Sequence, residues 1–243
     1  MRYAILSDIH ANLAAFQAVT EHLNGQQIDE IWNLGDIVGY GPYPNECIEL
    51  MRSFPNTSIA GNHDWGSTGK IGISEFNRDA AFACRWTGTV LKEGYDNYLR
   101  DLPETQVMDD FTMAHGSPRR PIWEYIMNVG EAVENLPYFQ TPVCLVGHSH
   151  IPFFFRQLEG ETPLFRHLED GEEIALGEGR YIINPGSVGQ PRDGDPRGSY
   201  AIYDAGTKNV TLHRIPYDIS QTQQRMRQTG LPHFLIDRLK YGR

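Results

Sequence analysis

Short apolar runs recur along the first two thirds of the chain, and each one stops abruptly at a polar residue. Tyr3 to Leu6, Ile31 to Leu34, Thr57 to Ala60, Phe111 to Ala114 and Val143 to Val146 are brief and rich in β-formers, which predicts strands. From Asn12 to about Leu23 the period changes: Leu13, Phe16, Val19 and Leu23 share one broad face, Asn12 suits the N-cap and Gly25 ends the run. A second helix is expected with Pro44 in its first turn, carrying Cys47, Ile48 and Met51. Strand, helix, strand in that order predicts an α/β fold.

Between Gly66 and Pro103 the rhythm breaks. Asn77 to Leu91 reads as helix, and a second helical stretch ends near Leu102. Residues 66–103 are therefore a candidate helical cap inserted into the domain, with a peripheral helical pair as the plain alternative. Beyond His150 the chain turns β-rich, with Phe153 to Arg156, Tyr181 to Ile183, and a hairpin-like pair from Tyr200 to Tyr203 and Val210 to Ile215. Pro232 to Tyr241 reads as a closing helix, and no internal repeat or low-complexity tract is present.

The residues that end the five runs carry the chemistry: Asp8 and His10, Asp36, Asn62, His115, then His148 and His150. In open α/β sheets ligands bind outside the carboxyl ends of the strands, so five such loops would converge on one rim. Gly35, Gly61 and Gly147 precede the ligand in three of the five, as a positive φ or a close backbone approach requires. Each pair alone has an ordinary reading as a turn or a helix cap, although His148 and His150, two apart, would share one side of an extended segment. Together they can hold two divalent ions. Asp36 can bridge, Asp8 adds a second negative charge, and neutral imidazoles with the Asn62 carbonyl fill the set, leaving net positive charge for a phosphoryl oxygen and a bridging hydroxide. With no thiolate in the set, Mn, Fe, Co, Ni or Zn all fit.

His63 follows a ligand directly, which suits a general acid for a leaving-group oxygen. Asp64 reads either as the group that orients that ring or as a helix start, and Tyr40 as a pocket wall or a packing residue. Arg119, in HGSPRR, and Arg192, in NPGSVGQPRDG, are candidates for substrate phosphate.

Taken in order, Asp8-Ile9-His10, Gly35-Asp36 onward to Gly41, Gly61-Asn62-His63-Asp64, His115-Gly116 and Gly147-His148-Ser149-His150 resemble the signature of the calcineurin-like metallophosphoesterase superfamily. The resemblance runs from Asp8 to His150 and, more loosely, to the segment Asn184 to Gly189. It implies a four-layer αββα sandwich of two mixed β-sheets flanked by helices. It further implies one ion held by Asp8, His10, His150 and a shared Asp36, the other by Asp36, Asn62, His115 and His148, with manganese foremost and His63 unmetallated as the acid. At GDIVGYGP, Gly39 and Tyr40 stand where protein phosphatases carry Asp and Arg, which resembles instead the small bacterial and archaeal, YfcE-like phosphodiesterase branch.

Composition narrows the partners. A chain of 243 residues with 40% apolar content fits one domain, 1–243, carrying an insertion. Thirty-one Asp and Glu against 21 Lys and Arg, a net charge of −10, argue against an extended nucleic-acid surface. An odd count of three cysteines without ligand spacing, Met1 running into the first strand, and no apolar stretch of the ~20 residues a membrane span needs point to a cytoplasmic protein without a signal peptide. His22, His167, His213 and His233 are expected at the surface.

The expectation is thus a dinuclear-metal phosphoesterase cleaving small phosphodiesters or monoesters, with His63 as acid. The alternatives are a nucleotide or dinucleoside polyphosphate hydrolase, or a catalytically silent scaffold of the same fold.

Overall fold

Alternation along the first strand sets the layering. In β1 (Arg2–Leu6) Ile5 faces one side while Ala4 and Leu6 face the other, and all three are buried, so both faces of this strand must be covered. The computed structural model describes residues 1–243 and shows what covers them. α1 (Leu13–Leu23), β2 (Glu30–Asn33), α2 (Pro44–Arg52), β3 (Asn56–Ser58) and α3 (Asn62–Ser67) follow in turn. The region from 66 to 103 supplies α4 (Arg78–Val90) and α5 (Tyr95–Asp101), after which come β4 (Thr105–Met108), β5 (Phe111–Ala114), α6 (Val129–Asn135) and β6 (Val143–Leu145). The remainder is β7 (Phe153–Gln157), β8 (Leu164–His167), β9 (Glu173–Ala175), β10 (Arg180–Asn184), β11 (Gly198–Asp204), β12 (Asn209–Ile215), α7 (Ile219–Gln228) and α8 (His233–Arg238).

The strands form two six-stranded mixed sheets, ordered β3-β2-β1-β11-β12-β9 and β4-β5-β6-β10-β7-β8. Between them lies one apolar layer, with Ile5, Trp32, Leu34 and Ala201 of the first sheet against Phe111, Met113, Leu145 and Ile183 of the second. On the outer face of the first sheet Ala4, Leu6 and Ile31 pack on Phe16 and Val19 of α1 and Ile48 and Met51 of α2. On the outer face of the second, Cys144, Phe155 and Ile182 meet Ala132 of α6 and Phe139. The result is the α/β/β/α sandwich. Burial of side chains this size contributes roughly 1.5–3 kcal/mol each to holding the two sheets and their helices together.

The five runs are divided between the two sheets. β1, β2 and β3 pair in parallel in the first sheet, and β5 and β6 pair in parallel in the second. Because the sheets stack face to face, their carboxyl ends open onto one shared cleft. α4 packs there as well: Tyr40, Ala80 and Ala83 share an apolar cluster with Met226 of α7 and Leu235 and Ile236 of α8, so α4 and the C-terminal helices meet beside the cleft. Of the four outlying histidines, His167 and His233 are exposed, but His22 and His213 are half-buried around Tyr200, whose hydroxyl meets His22 Nδ1 at 2.5 Å. All three cysteines are buried and free. No helix is long and apolar enough to cross a membrane.

Candidate metal centre

The loops at the cleft hold their ligands in an unusual backbone conformation. Asp8, His10, Asp36, His148 and His150 all have positive φ, between 51° and 64°. For L-residues this left-handed region costs about 1–2 kcal/mol each and persists only where surroundings enforce it. Here cross-bonds between loops do so: Asp8 N–H donates to Gly35 O (3.1 Å), His10 N–H to Asp36 O (2.9 Å) and His148 N–H to Asp8 Oδ2 (3.0 Å). Beneath them the segment from Asn184 to Gly189 ties the Asp8 loop down, with Val188 N–H donating to Ser7 O (3.0 Å), Gly189 N–H to Asp8 O (3.0 Å) and Ser187 Oγ–H to Asp8 O (2.8 Å).

Three imidazoles are fixed by the same device. Nδ1 of His10 sits 3.2 Å from Val38 O, that of His115 2.8 Å from Leu34 O, and that of His150 2.6 Å from Gln190 O. A carbonyl can only accept, so each Nδ1 carries a proton and each Nε2 turns inward, with a lone pair where the ring is neutral. His10 Nε2 and His150 Nε2 then face each other at 3.1 Å, and His115 Nε2 faces Asn62 Oδ1 at 3.1 Å. Two lone pairs brought that close, as between His10 and His150, repel unless an electrophile lies between them.

The carboxylates complete the pattern. Asp36 spends Oδ1 on His63 N–H (2.8 Å), leaving Oδ2 3.6 Å from His10 Nε2 and 3.4 Å from His115 Nε2. Asp8 spends Oδ2 on Ser7 Oγ–H (2.6 Å) and leaves Oδ1 3.3 Å from His150 Nε2. Asp8 Oδ1, Asp36 Oδ2 and His148 Nε2 are buried without any hydrogen-bond partner. Orphaned acceptors of this kind cost about 1–3 kcal/mol or more each, and a divalent cation is the ligand that satisfies oxygen and imidazole acceptors together. Asp8, His10 and His150 form one ligand cluster and Asp36, His115 and His148 another, with Asp36 Oδ2 between them. His63 lies in a third cluster with His10 and Asp36.

Titration directions agree with a cation site. Burial alone would raise Asp8 and Asp36, but the imidazoles around them outweigh it and hold both carboxylates well below their usual range. Burial pushes His148 and His150 down to about 3, so both are neutral donors at physiological pH. It would lower His115 too, yet the Asp36 carboxylate wins and lifts it to about 9, the field that favours a cation at that position. Burial also pushes His63 well below its ordinary value, with Asp36 opposing.

Above this cluster opens a cavity of about 380 Å³ lined by Asp36, Asn62, His63, His148, His150 and Tyr40. All seven expected ligands and His63 are thus brought together. Arg192 lines the cavity, with its guanidinium 5.7 Å from the Tyr40 ring and a buried Nε that has no partner. Arg119 does not. Its guanidinium pairs with Glu124 and with Glu134 (3.0 Å), and its neighbour Arg120 lines the cavity instead. Glu75, Phe76 and Asn77 from the segment before α4 and Trp123 and Tyr125 from the loop after His115 complete the wall, and none of these was singled out from sequence. Asp64 accepts from the backbone N–H groups of Asp36 (2.8 Å), Gly61 (3.0 Å) and Val38 (3.1 Å), so it belongs to the start of α3 and not to the His63 ring. Asn12 caps α1 by accepting from Ala15 N–H.

Comparison with known proteins places this geometry. Residues 1–208 match the model of the calcineurin-like phosphoesterase superfamily domain. An uncharacterised protein of Methanocaldococcus jannaschii is 39% identical over 99% of this chain and 98% of its own length. The crystal structure of a metallophosphoesterase from Sphaerobacter thermophilus is similar at TM-score 0.90 and 49% identity, covering 100% of this chain and 99% of that one. A hypothetical protein of Pyrococcus horikoshii shares the fold at TM-score 0.82 and 23% identity, over 100% of this chain and 98% of its own.

Proposed function

The chain belongs to the calcineurin-like phosphoesterase superfamily, and on that premise we propose that it is a dinuclear-metal phosphoesterase hydrolysing small phosphate esters, diesters foremost. The observation that carries the reading is the single unpartnered oxygen of Asp36, set between the imidazoles of His10 and His115 where it can belong to two ligand sets at once. One set would be Asp8, His10, His150 and Asp36, the other Asp36, Asn62, His115 and His148. Bound there, two divalent ions, manganese first among those that fit, would polarise the phosphoryl oxygens and activate the attacking water.

The chain's own residues do the rest. Water adds to phosphorus as the ester P–O bond breaks, and the proton it gives up is balanced by the one that His63, within the cavity wall, passes to the departing oxygen; burial lowers this ring's proton affinity, so it takes up that proton in the substrate complex, where the phosphate's negative charge favours the charged ring. Arg192 and Arg120 face the cavity without a carboxylate partner and are free to hold an anionic oxygen that is not being cleaved. Tyr40, Phe76 and Trp123 narrow the space and limit bulk water. A silent scaffold is disfavoured because no ligand is missing. Three free, buried cysteines fit a reducing cytoplasm.

A second reading, hydrolysis of nucleotides or dinucleoside polyphosphates, is favoured by one observation. The two arginines and the Phe76–Trp123 ring pair (centroids 5.1 Å apart) together suit a substrate with extra negative charge and a planar group. The test is a screen of the manganese-loaded protein against aryl and alkyl diesters, monoesters, nucleotides, a phosphopeptide and a long polynucleotide. The first reading expects the highest kcat/KM among small diesters, and His63→Ala to cost roughly 10² to 10⁴ in rate with metal content unchanged. A metal-replete protein that hydrolyses no small ester would overturn it.

A further inference from the structure

His63 is held from outside the ligand loops. Its ring packs against Tyr40 (centroids 4.2 Å apart) and meets the edge of Phe76 at 4.9 Å. Gly39, at φ +90°, leaves the space it needs: a Cβ there would stand 2.5 Å from His63 Nδ1 and 2.7 Å from its Cγ. The one polar contact of the ring comes from the insertion. Cys84 of α4, fully buried, places Sγ 3.3 Å from His63 Nδ1. Burial pushes this thiol up to about 12, so it remains S–H, and the neighbouring Ser67 hydroxyl is itself buried without another partner.

We propose that Cys84 is a positioning residue: its sulfur holds Nδ1 of His63, so that Nε2 is the nitrogen presented to the substrate. On this account α4 acts as a brace for the acid as well as a wall of the cavity. A thiol can accept from Nδ1–H or donate to its lone pair, so the contact survives either protonation state of the ring. Its effect is orientational. A ring free to rotate about χ2 would present Nδ1 and Nε2 alternately, and a proton offered from the wrong place is lost to the reaction. The proposal rests on the acid role of His63, and its test separates the two.

Four manganese-loaded proteins are compared on esters of rising leaving-group pKa: the parent, Cys84→Ala, Cys84→Ser and His63→Ala. Cys84→Ala should lower kcat about tenfold for alkyl leaving groups, leave p-nitrophenyl esters nearly unchanged, and leave KM and metal content at parental values. Cys84→Ser, whose hydroxyl can bond Nδ1, should recover most of the loss. In the zinc-loaded protein, ¹⁵N NMR should show the His63 Nδ1 resonance moving in Cys84→Ala and much less in Cys84→Ser. If His63→Ala shows the leaving-group-dependent loss and Cys84→Ala does not, the positioning role is overturned while the acid role stands. If His63→Ala shows no such dependence, the acid role fails, and the Nδ1 resonance alone decides whether sulfur holds the ring. Equal loss for all leaving groups in both Cys84 variants, together with a lowered Tm, would mean that Cys84 only packs, and would also overturn the proposal.

Discussion

Gly61→Ala tests the metal centre through space alone. Gly61 has φ −100°, a conformation any residue adopts, so alanine there pays no backbone penalty. Its Cβ would nevertheless stand 2.5 Å from both Cγ and the backbone N of Asp36, and closer still to Oδ1, where 3.4 Å is ordinary contact. About 0.9 Å must open at Cγ and at the backbone N and more than that at Oδ1, so what has to give is Asp36 itself, backbone and carboxylate together, the carboxylate being anchored through Oδ1 to His63 N–H at 2.8 Å. Overpacking of this size costs about 1–3 kcal/mol of stability, which a chain of this length should survive folded. The functional cost is larger, because a displacement near 1 Å is worth about 10²-fold in rate and disturbed support of a ligand about 10- to 100-fold in metal affinity. Both ligand sets use Asp36, so both ions should weaken together. Equilibrium dialysis with metal analysis, kcat on a small diester and a thermal melt measure the three quantities. Parental affinity for both ions with parental kcat would refute the packing argument.

Arg192→Gln should raise KM for a small ester by about tenfold or more with metal content unchanged, since a charge-assisted hydrogen bond is worth about 1.5–3 kcal/mol; an unchanged KM would remove Arg192 from the substrate site. Glu124 offers a test of stability against pH. Burial alone would raise its carboxyl, but hydrogen bonds from Arg119, Ser117 and Asn135 outweigh it and hold it at about 2. A carboxyl depressed on folding contributes stability above its unfolded value of about 4.3, and that contribution is lost as pH falls from there towards 2. Glu124→Gln should therefore melt several degrees below the parent at pH 7, with the gap closing below pH 4; a gap independent of pH would contradict the assignment.

The seven positions that gather at the cleft were legible because each closes a short apolar strand, a pattern that survives whatever the strands pair with. The pairing itself was not. Nothing in the runs tells that β1 to β3 and β5 to β6 belong to different sheets. α3 begins at the ligand Asn62 and buries all six of its residues, so no amphipathic contrast marks it. α7 buries only Thr222 and Met226, too few for a period to emerge, while β8 and β9 are short, mostly exposed edge strands. Gly35, Gly61 and Gly147 looked alike in sequence, yet only Gly35 uses a positive φ (97°); the other two allow close approach to Asp36 and Ser7. Arg119 and Arg120 are adjacent, and what separates them is a turn closed by Gly116 N–H to Pro121 O, with Glu124 and Glu134 beside the first. Phe76 and Trp123 reach the cavity, and Cys84 the His63 ring, by tertiary packing, which no local spacing announces.

The central claim is that one chain holds two functionally required ions through a shared Asp36. Titrating metal-free protein with Mn²⁺ while measuring bound metal and kcat on the same samples tests it most directly. Activity should rise to its maximum only as two ions per chain are bound, and Asp36→Ala should weaken both and abolish hydrolysis. Full activity at a single bound ion per chain would contradict the account.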